Sequence, residues 1–357
     1  MTNAEIARQR LTNHRIAHEK FDLPSQVVTS FGAMQAQDYA SAKWAIGLRC
    51  TAATEATINQ AIADRTIVRS WLMRGTLHVV AAVDVRWMLT LLAPRLIAGA
   101  ARRHQQLELD QATFARSFKV LADLLEGGKE ATRAEIRATL EQVGISTAGQ
   151  RLYHILGQAV LAELVCFASG QNNQEAFALL DDWVPHGKSL EGDEALAALA
   201  ERYFKSRGPA TLQDFVWWSG LLVGDARRGL EGASPRLHQE KIQGQTYWLP
   251  QDGPPPAVPS STACLLPAFD EYYLGYRGRD AVLDAVYDKR VASNNGVFRP
   301  IIVIDGQVVG IWRRVAAKGS VVITPQPFRA LTVAEDQAVH VAANQIRGFL
   351  GLPSEPE

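Results

Sequence analysis

Most of the usual signatures of an identifiable enzyme are missing from this chain of 357 residues. No run of 18 or more uncharged apolar residues occurs, so no membrane-spanning helix is expected. The start, "MTNAEIARQR", lacks the apolar stretch of a secretory signal, which makes the cytoplasm the default location. The three cysteines, Cys50, Cys166 and Cys264, are isolated and odd in number. That pattern suggests neither a disulfide framework nor a zinc site. CxxC, HExxH, GxGxxG and GK[ST] loops are all absent, which weighs against metal, dinucleotide and nucleotide-hydrolysis chemistry. No cofactor is expected.

Net charge is absent too: 37 Lys and Arg balance 37 Asp and Glu. The balance is not local, however. Residues 1–104 hold 13 basic against 7 acidic side chains, residues 105–190 hold 7 against 11, and residues 191–261 hold 7 against 9. A basic N-terminal segment on a neutral chain can attract phosphates locally. A solvated surface with chance asymmetry would look the same.

What is present is punctuation. Thr2-x-x-Glu5, Thr132-x-x-Glu135 and Thr211-x-x-Asp214 have the form of helix N-terminal caps. They predict helices from Thr2 to about His18, from Thr132 to Gly144, and after Thr211. Further helices are expected from Pro24 to about Met34, over Ser41–Arg49 and Glu55–Ala63, from Asp110 to Gly127-Gly128, over Ala148–Leu164 and Glu194–Lys205, and near Asp225–Leu230. Hairpins are expected in "IVRSWLMRGTLHVV" around Arg74-Gly75, in "VCF" to "AFALL" across "ASGQNNQE", and in "KIQGQTYWL" at Gln243-Gly244. Helices followed by a hairpin are the winged-helix plan, and the second and third segments match in cap type, 79 residues apart. "PQDGPPPAVPSS" (Pro250–Ser261), with its prolines, reads as a linker. Beyond it, "RPIIVI", Asp305-Gly306 and "QVVGIWRR" form a hairpin, "GSVVITP" adds a strand, and a helix over about Val333–Leu350 closes a small β-rich domain.

One short stretch stands apart. "AMQAQDYASAKW" places Gln35 and Gln37 two residues apart, with Ala36 between them. On a helix, i and i+2 diverge by about 200°. On an extended chain they point the same way. The two amides can therefore converge if the chain unwinds after Met34. Two polar residues ending a helix in solvent would be the plainer account. His14 and His18 have the i, i+4 spacing of a metal pair, but no third ligand is evident and a helix-face role is favoured.

"MQAQD", "RSWLMRGTLHVV", "LLPAFDEYYLGYRGR" and "NGVFRPIIVIDGQVVGIWRR" together resemble the AlkZ/YcaQ-like winged-helix DNA glycosylases, in the same order over nearly the whole chain. The resemblance implies an α+β fold of tandem winged-helix domains and a C-terminal β-barrel-like domain, forming a C-shaped clamp around DNA. The expected boundaries are 1–104, 105–190, 191–261 and 262–357. It implies a monofunctional hydrolase that cleaves the N-glycosidic bond of alkylated purines, and in the AlkZ-like branch unhooks interstrand crosslinks. The partner would be double-stranded DNA, bound by a monomer associated with the nucleoid. The family signature is Gln, an apolar residue, then Gln in the AlkZ-like branch or Asp in the other. Gln35-Ala36-Gln37 matches the former, and Asp38 falls one place late for the latter. Gln35 and Gln37 are thus the catalytic candidates. Strand alternation would place Trp71 in the core and Arg69 and Arg74 outward, toward phosphate. His78 would be either a core residue or one facing the site, the second being preferred. Arg277, Arg279, Arg299, Arg313 and Arg314 would meet the DNA backbone, with only one of the adjacent pair Arg313 and Arg314 able to face it. Asp270 and Glu271 would pair with nearby arginines and fix the last domain. A non-catalytic winged-helix binder or regulator, and a scaffold that has lost DNA binding, remain as other readings.

Overall fold

The structure, a computed structural model, describes residues 1–17, 19–169, 175–184, 187, 189–251, 262–293, 296–317 and 320–353. His18, the tip of the "ASGQNNQE" turn and all but the start of the Pro-rich stretch lie outside them. The chain divides into two compact units, Met1–Ile58 with Leu196–Glu357, and Asn59–Ala195. Among the described residues no helix is long and apolar enough to cross a membrane.

In the first unit the helix Asn3–Asn13 starts at the expected cap. Thr2 Oγ1 accepts from the Glu5 amide, and Glu5 accepts from the Thr2 amide in return. It ends sooner than expected, with His14 as its C-cap. The helix Pro24–Phe31 also stops early, three residues before Met34. Gly32 turns left-handed there at φ 73°, and only glycine adopts that conformation without steric cost. Met34–Gln35 is extended, and Asp38 Oδ1 accepts from the Ser41 amide to cap the helix Tyr39–Gly47. The carboxylate that falls one place late for the family signature is therefore occupied as a helix cap.

The C-terminal part of this unit carries a four-stranded antiparallel sheet, in the order Ser320–Pro327, Gln307–Ala317, Ile301–Ile304, Ala263–Leu266. It curls like half a barrel but does not close. Ile301, Ile302, Val303 and Ile304 are all buried, so both faces of that strand are covered. The Asp305-Gly306 turn has positive φ at both residues, as a two-residue hairpin of this kind requires. Gly306 has a second constraint: a Cβ there would meet the Ala7 backbone at 2.8 Å. The helix Val333–Phe349 packs against this sheet and closes the chain.

The second unit begins with the hairpin Ile67–Leu72 and Thr76–Ala81, in register from Ile67↔Ala81 to Leu72↔Thr76. Arg74 and Gly75 make its turn, both with positive φ. Trp71 is buried against Phe167, Phe177 and Tyr153. A 22-residue helix, Val85–Gln106, then spans a stretch for which no element was expected.

Both units contain the same succession. In the second, the helix Gln111–Leu125 is followed by the strand Ala131–Thr132, the helices Arg133–Gln142 and Arg151–Leu161, and the strands Val165–Ala168 and Ala176–Leu179. Ala131 pairs with Phe177 on the last strand. In the first, the helix Gly192–Arg207 leads to Ala210, then the helices Leu212–Ser219 and Val223–Ala233, then the hairpin Leu237–Ile242 and Gln245–Pro250. Ala210 pairs with Trp248 on the last strand. In each copy a capping threonine follows the paired alanine, with both reciprocal bonds formed. Removing an N-cap hydroxyl costs about 0.5–2 kcal/mol. Thr132 caps at the surface, whereas Thr211 and its partner Asp214 are buried. Thr211→Ala is therefore expected to lower the urea midpoint more than Thr132→Ala, whose loss should stay near 1 kcal/mol.

Candidate functional site

The Gln35 segment is held by its backbone. Arg207, the last residue of its helix and fully buried, donates from Nη1 to the Phe31 carbonyl (3.0 Å) and from Nη2 to the Ala33 carbonyl (3.1 Å). Phe31 ends a helix, so its carbonyl lacks a partner within it. The same guanidinium donates from Nη2 and Nε to Glu271 Oε2, at 2.7 and 3.2 Å. The indole Nε1 of Trp218 reaches that oxygen at 2.9 Å. The other oxygen, Oε1, accepts from the backbone N–H of Gln35 at 2.9 Å. Arg207 is closed in by the rings of Trp218, Phe31 and Tyr203. Gln35 is 8% exposed, Ala36 is buried, and Gln37 opens to solvent.

Asp270, one residue before Glu271, makes a second buried pair. Its two oxygens accept from Arg49 at 2.9 and 2.8 Å. Arg49 also donates to the carbonyls of Ala45 and His14 and to His14 Nδ1. His14 Nε2 meets the Tyr276 hydroxyl at 2.9 Å, and that hydroxyl donates to the Arg207 carbonyl at 2.7 Å. The acidic pair is thus ion-paired, as expected. Its partners, however, lie 221 and 64 residues away rather than in the last domain. His14 is an interior residue bound to an arginine and a tyrosine, while His18, the other member of the two-histidine spacing, lies outside the described residues.

The AlkZ-like DNA glycosylase family matches residues 28–349, which include Gln35, Gln37 and both buried ion pairs, though not His14. The chain belongs to that family. DNA glycosylases are hydrolases acting on N-glycosyl bonds, and this chain is one of them. It is 27% identical over 343 residues to an interstrand DNA cross-link repair glycosylase of Streptomyces sahachiroi, a match covering 89% of this chain and 90% of that one. The solved structure of the Streptomyces sahachiroi DNA glycosylase AlkZ superposes with a TM-score of 0.78 at 22% identity, over 100% of this chain and 98% of the other. That likeness establishes the fold.

The other residues singled out in this glycosylase divide by exposure. Arg69 does not point outward. It shares strand parity with Trp71, lies on the same face, and is 9% exposed. Its Nη1 donates to Glu175 Oε1 at 2.7 Å, while Arg133 takes the other oxygen of Glu175. Strand alternation forbids Arg69 and Trp71 from taking opposite faces. His78 is buried, with Nδ1 3.0 Å from the Thr76 carbonyl. Arg74 is half-buried at the turn. Arg277 and Arg299 are exposed, and Arg279 lies over the Tyr273 ring. Arg313 and Arg314 are both exposed, as are Val315 and Val322 beside them. Lys43, the lysine nearest the two glutamines, pairs with Glu55 at 3.2 Å.

Sequence reasoning missed Arg207 and the contact of Glu271 with Gln35, which joins residues 236 apart. The only signal was an acidic pair inside the apolar run "LLPAFDEYYLGY".

Burial, and then Arg49, Arg207 and Arg10, hold His14 well below the usual imidazole range of 6.5. Below that pH the unfolded chain binds a proton that folded His14 refuses, so stability falls as pH drops through about 6.5. Burial lowers His104 and His154 in the same direction. The urea midpoint should therefore decline from pH 7.5 to 5. A His14→Gln variant, whatever its stability at pH 7.5, should decline less steeply by up to one proton.

Proposed function

We propose that this glycosylase hydrolyses the N-glycosidic bond of cationic N-alkylated purines, with N7-alkylguanine as the type substrate, and that Gln35 and Gln37 carry the chemistry. The observation behind this is the extended backbone at Met34–Gln35, just past the helix end at Phe31. From Gly32 to Asp38 the backbone is in no helix, so the roughly 200° divergence of helical i and i+2 does not apply to Gln35 and Gln37. A purine alkylated at N7 already carries positive charge. When the bond from C1′ breaks, its electron pair neutralises the departing base, and no general acid is needed. The sugar is left with oxocarbenium character. A glutamine carbonyl oxygen can accept from the attacking water and face the developing cation with its negative end. The water adds to C1′ and gives its proton to solvent. No lysine lies in "MQAQD", and Lys43, the nearest in sequence, is ion-paired with Glu55, so no Schiff base is expected and the product would be an abasic site.

Several observations support DNA as the surface partner. The repeated order of helix, strand, two helices and hairpin is that of a winged helix, which suits the segments 105–190 and 191–261. Residues 1–104 and 262–357 would form the first and last domains. Arg277, Arg299 and Arg313 are exposed and would contact phosphates, with Arg74 contributing at its turn. The buried Arg69 and His78 would support the fold around them. The name of the Streptomyces sahachiroi relative favours interstrand crosslinks as a second substrate, with the same bond broken on a guanine tethered to the other strand.

The test uses a duplex containing N7-methylguanine and one carrying a nitrogen-mustard crosslink, with alkali revealing abasic sites. The wild type should release the methylated base and leave guanine in place. Exchanging both Gln35 and Gln37 for Ala should slow release at least about 100-fold, the scale of losing one charge-stabilising donor or acceptor in an active site. Robust excision by that double variant, or a DNA adduct trapped with borohydride, would sink the mechanism.

A further inference from the structure

We propose that Glu271, oriented by Arg207 and Trp218, is the positioning residue for the Gln35–Gln37 segment. This rests on the reading that these two glutamines act on the substrate.

Between Gly32 and Asp38 the backbone is in no helix, and helix bonding does not hold it. Arg207 and Glu271 bind it as a unit. Arg207 holds the carbonyls of Phe31 and Ala33, and Glu271 holds the N–H of Gln35. Alternate backbone groups over five residues therefore terminate on one ion pair. Both of its members are buried: the Arg207 side chain is 0% exposed and that of Glu271 is 2% exposed. Trp218 donates to the same carboxylate oxygen as Arg207, which fixes the plane of the group and aims Oε1 at Gln35. An N–H bonded to a carboxylate is shorter and stronger than one bonded to a neutral acceptor. The Gln35 side chain, 8% exposed, and Gln37, open to solvent, extend from this anchored backbone.

Glu271 meets the glutamine segment through a backbone amide, and both its oxygens are occupied by donors. It therefore acts through the segment rather than on the substrate. A displacement of about 1 Å at a reacting group can cost about 100-fold in rate. Shortening the side chain by one methylene draws the carboxylate back by about 1.5 Å. An aspartate cannot then reach Gln35, Arg207 and Trp218 together.

The experiment compares the wild type, Glu271→Asp and Trp218→Phe. Trp218→Phe removes the indole N–H from the carboxylate and keeps a smaller flat ring under Arg207, leaving the carboxylate itself in place, so it remains informative if Glu271→Asp does not fold. Three quantities are read: the single-turnover rate of N7-methylguanine release, the Kd for the same duplex, and hydrogen exchange at the Gln35 amide. The proposal expects Glu271→Asp to lower the rate by about 30- to 100-fold and to leave Kd within about threefold. The Gln35 amide should exchange faster. Trp218→Phe should move rate and exchange in the same direction, by less. Full-rate excision despite a deprotected Gln35 amide would overturn the proposal and leave the role of the glutamines intact. So would an unchanged amide, or a rate that falls together with DNA affinity, Kd rising as the rate drops. If the wild type releases no alkylated base while the amide still responds to Glu271→Asp, the catalytic reading fails and the anchoring stands.

Discussion

The pair Arg207–Glu271 is the constraint on which the candidate site depends. Two full charges sit where water does not reach, and their mutual attraction is offset by the cost of stripping both of water. Such a pair is weak evidence for stability as such. Its geometry says more. Arg207 spends its donors on Glu271, on two carbonyls around Gly32 and on the Ser206 hydroxyl, at distances of 2.7–3.2 Å. Glu271 spends its acceptors on Arg207, Trp218 and Gln35. Removing either charge would leave the other buried and unmatched, a loss of about 3–5 kcal/mol. The arrangement fixes where the chain leaves the helix Pro24–Phe31, and from that point the direction in which Gln35 departs.

The second pair, Arg49–Asp270, is joined to the first by a polar relay. Arg49 donates to His14, His14 bonds to Tyr276, and Tyr276 donates to the carbonyl of Arg207. The relay has one consistent set of protons. His14 must accept at Nδ1, where Arg49 points, and donate from Nε2, because the Tyr276 proton is already committed to a carbonyl. That is neutral imidazole. The depressed pKa of His14, from burial among Arg49, Arg207 and Arg10, says the same thing independently. A protonated His14 would add a fourth positive charge beside three arginines. The interior is thus built for one protonation state, and the adjacent residues Asp270 and Glu271 bind its two halves together.

What was legible in the sequence was local. Caps such as Thr132-x-x-Glu135 and turns such as Asp305-Gly306 involve residues three or fewer apart, and their chemistry can be read directly. The repeated succession of helices and hairpins emerged from those signals alone. The unwinding before Gln35 was legible too, though its place was not. Gly32, whose positive φ ends the helix, was passed over for Met34. The helix Val85–Gln106 escaped because it contains Pro94 and because its exposed half beyond that residue gives little apolar period. Arg69 was misplaced by treating it apart from Trp71, although residues two apart on a strand share a face. The long-range pairs had no local signal. An Asp-Glu dipeptide among aromatic residues announces a buried charge but cannot name a partner 221 residues away.

The use of amides can be argued from the carboxylates around them. Three acids adjoin the anchored segment in sequence or through its ion pairs: Asp38, Asp270 and Glu271. Asp38 caps the helix Tyr39–Gly47. Asp270 accepts from Arg49 with both oxygens, and Glu271 has donors on both of its own. None is placed as a free general acid. Asp270 and Glu271 already have a donor on each oxygen. The fold has therefore committed these acids to structure and left two neutral amides on the anchored segment. A site of that composition has little means of expelling an unmodified purine, which must be protonated to leave. Under the proposed reading, a base whose positive charge came from its own damage would not need that proton, and the selectivity would lie in the leaving group.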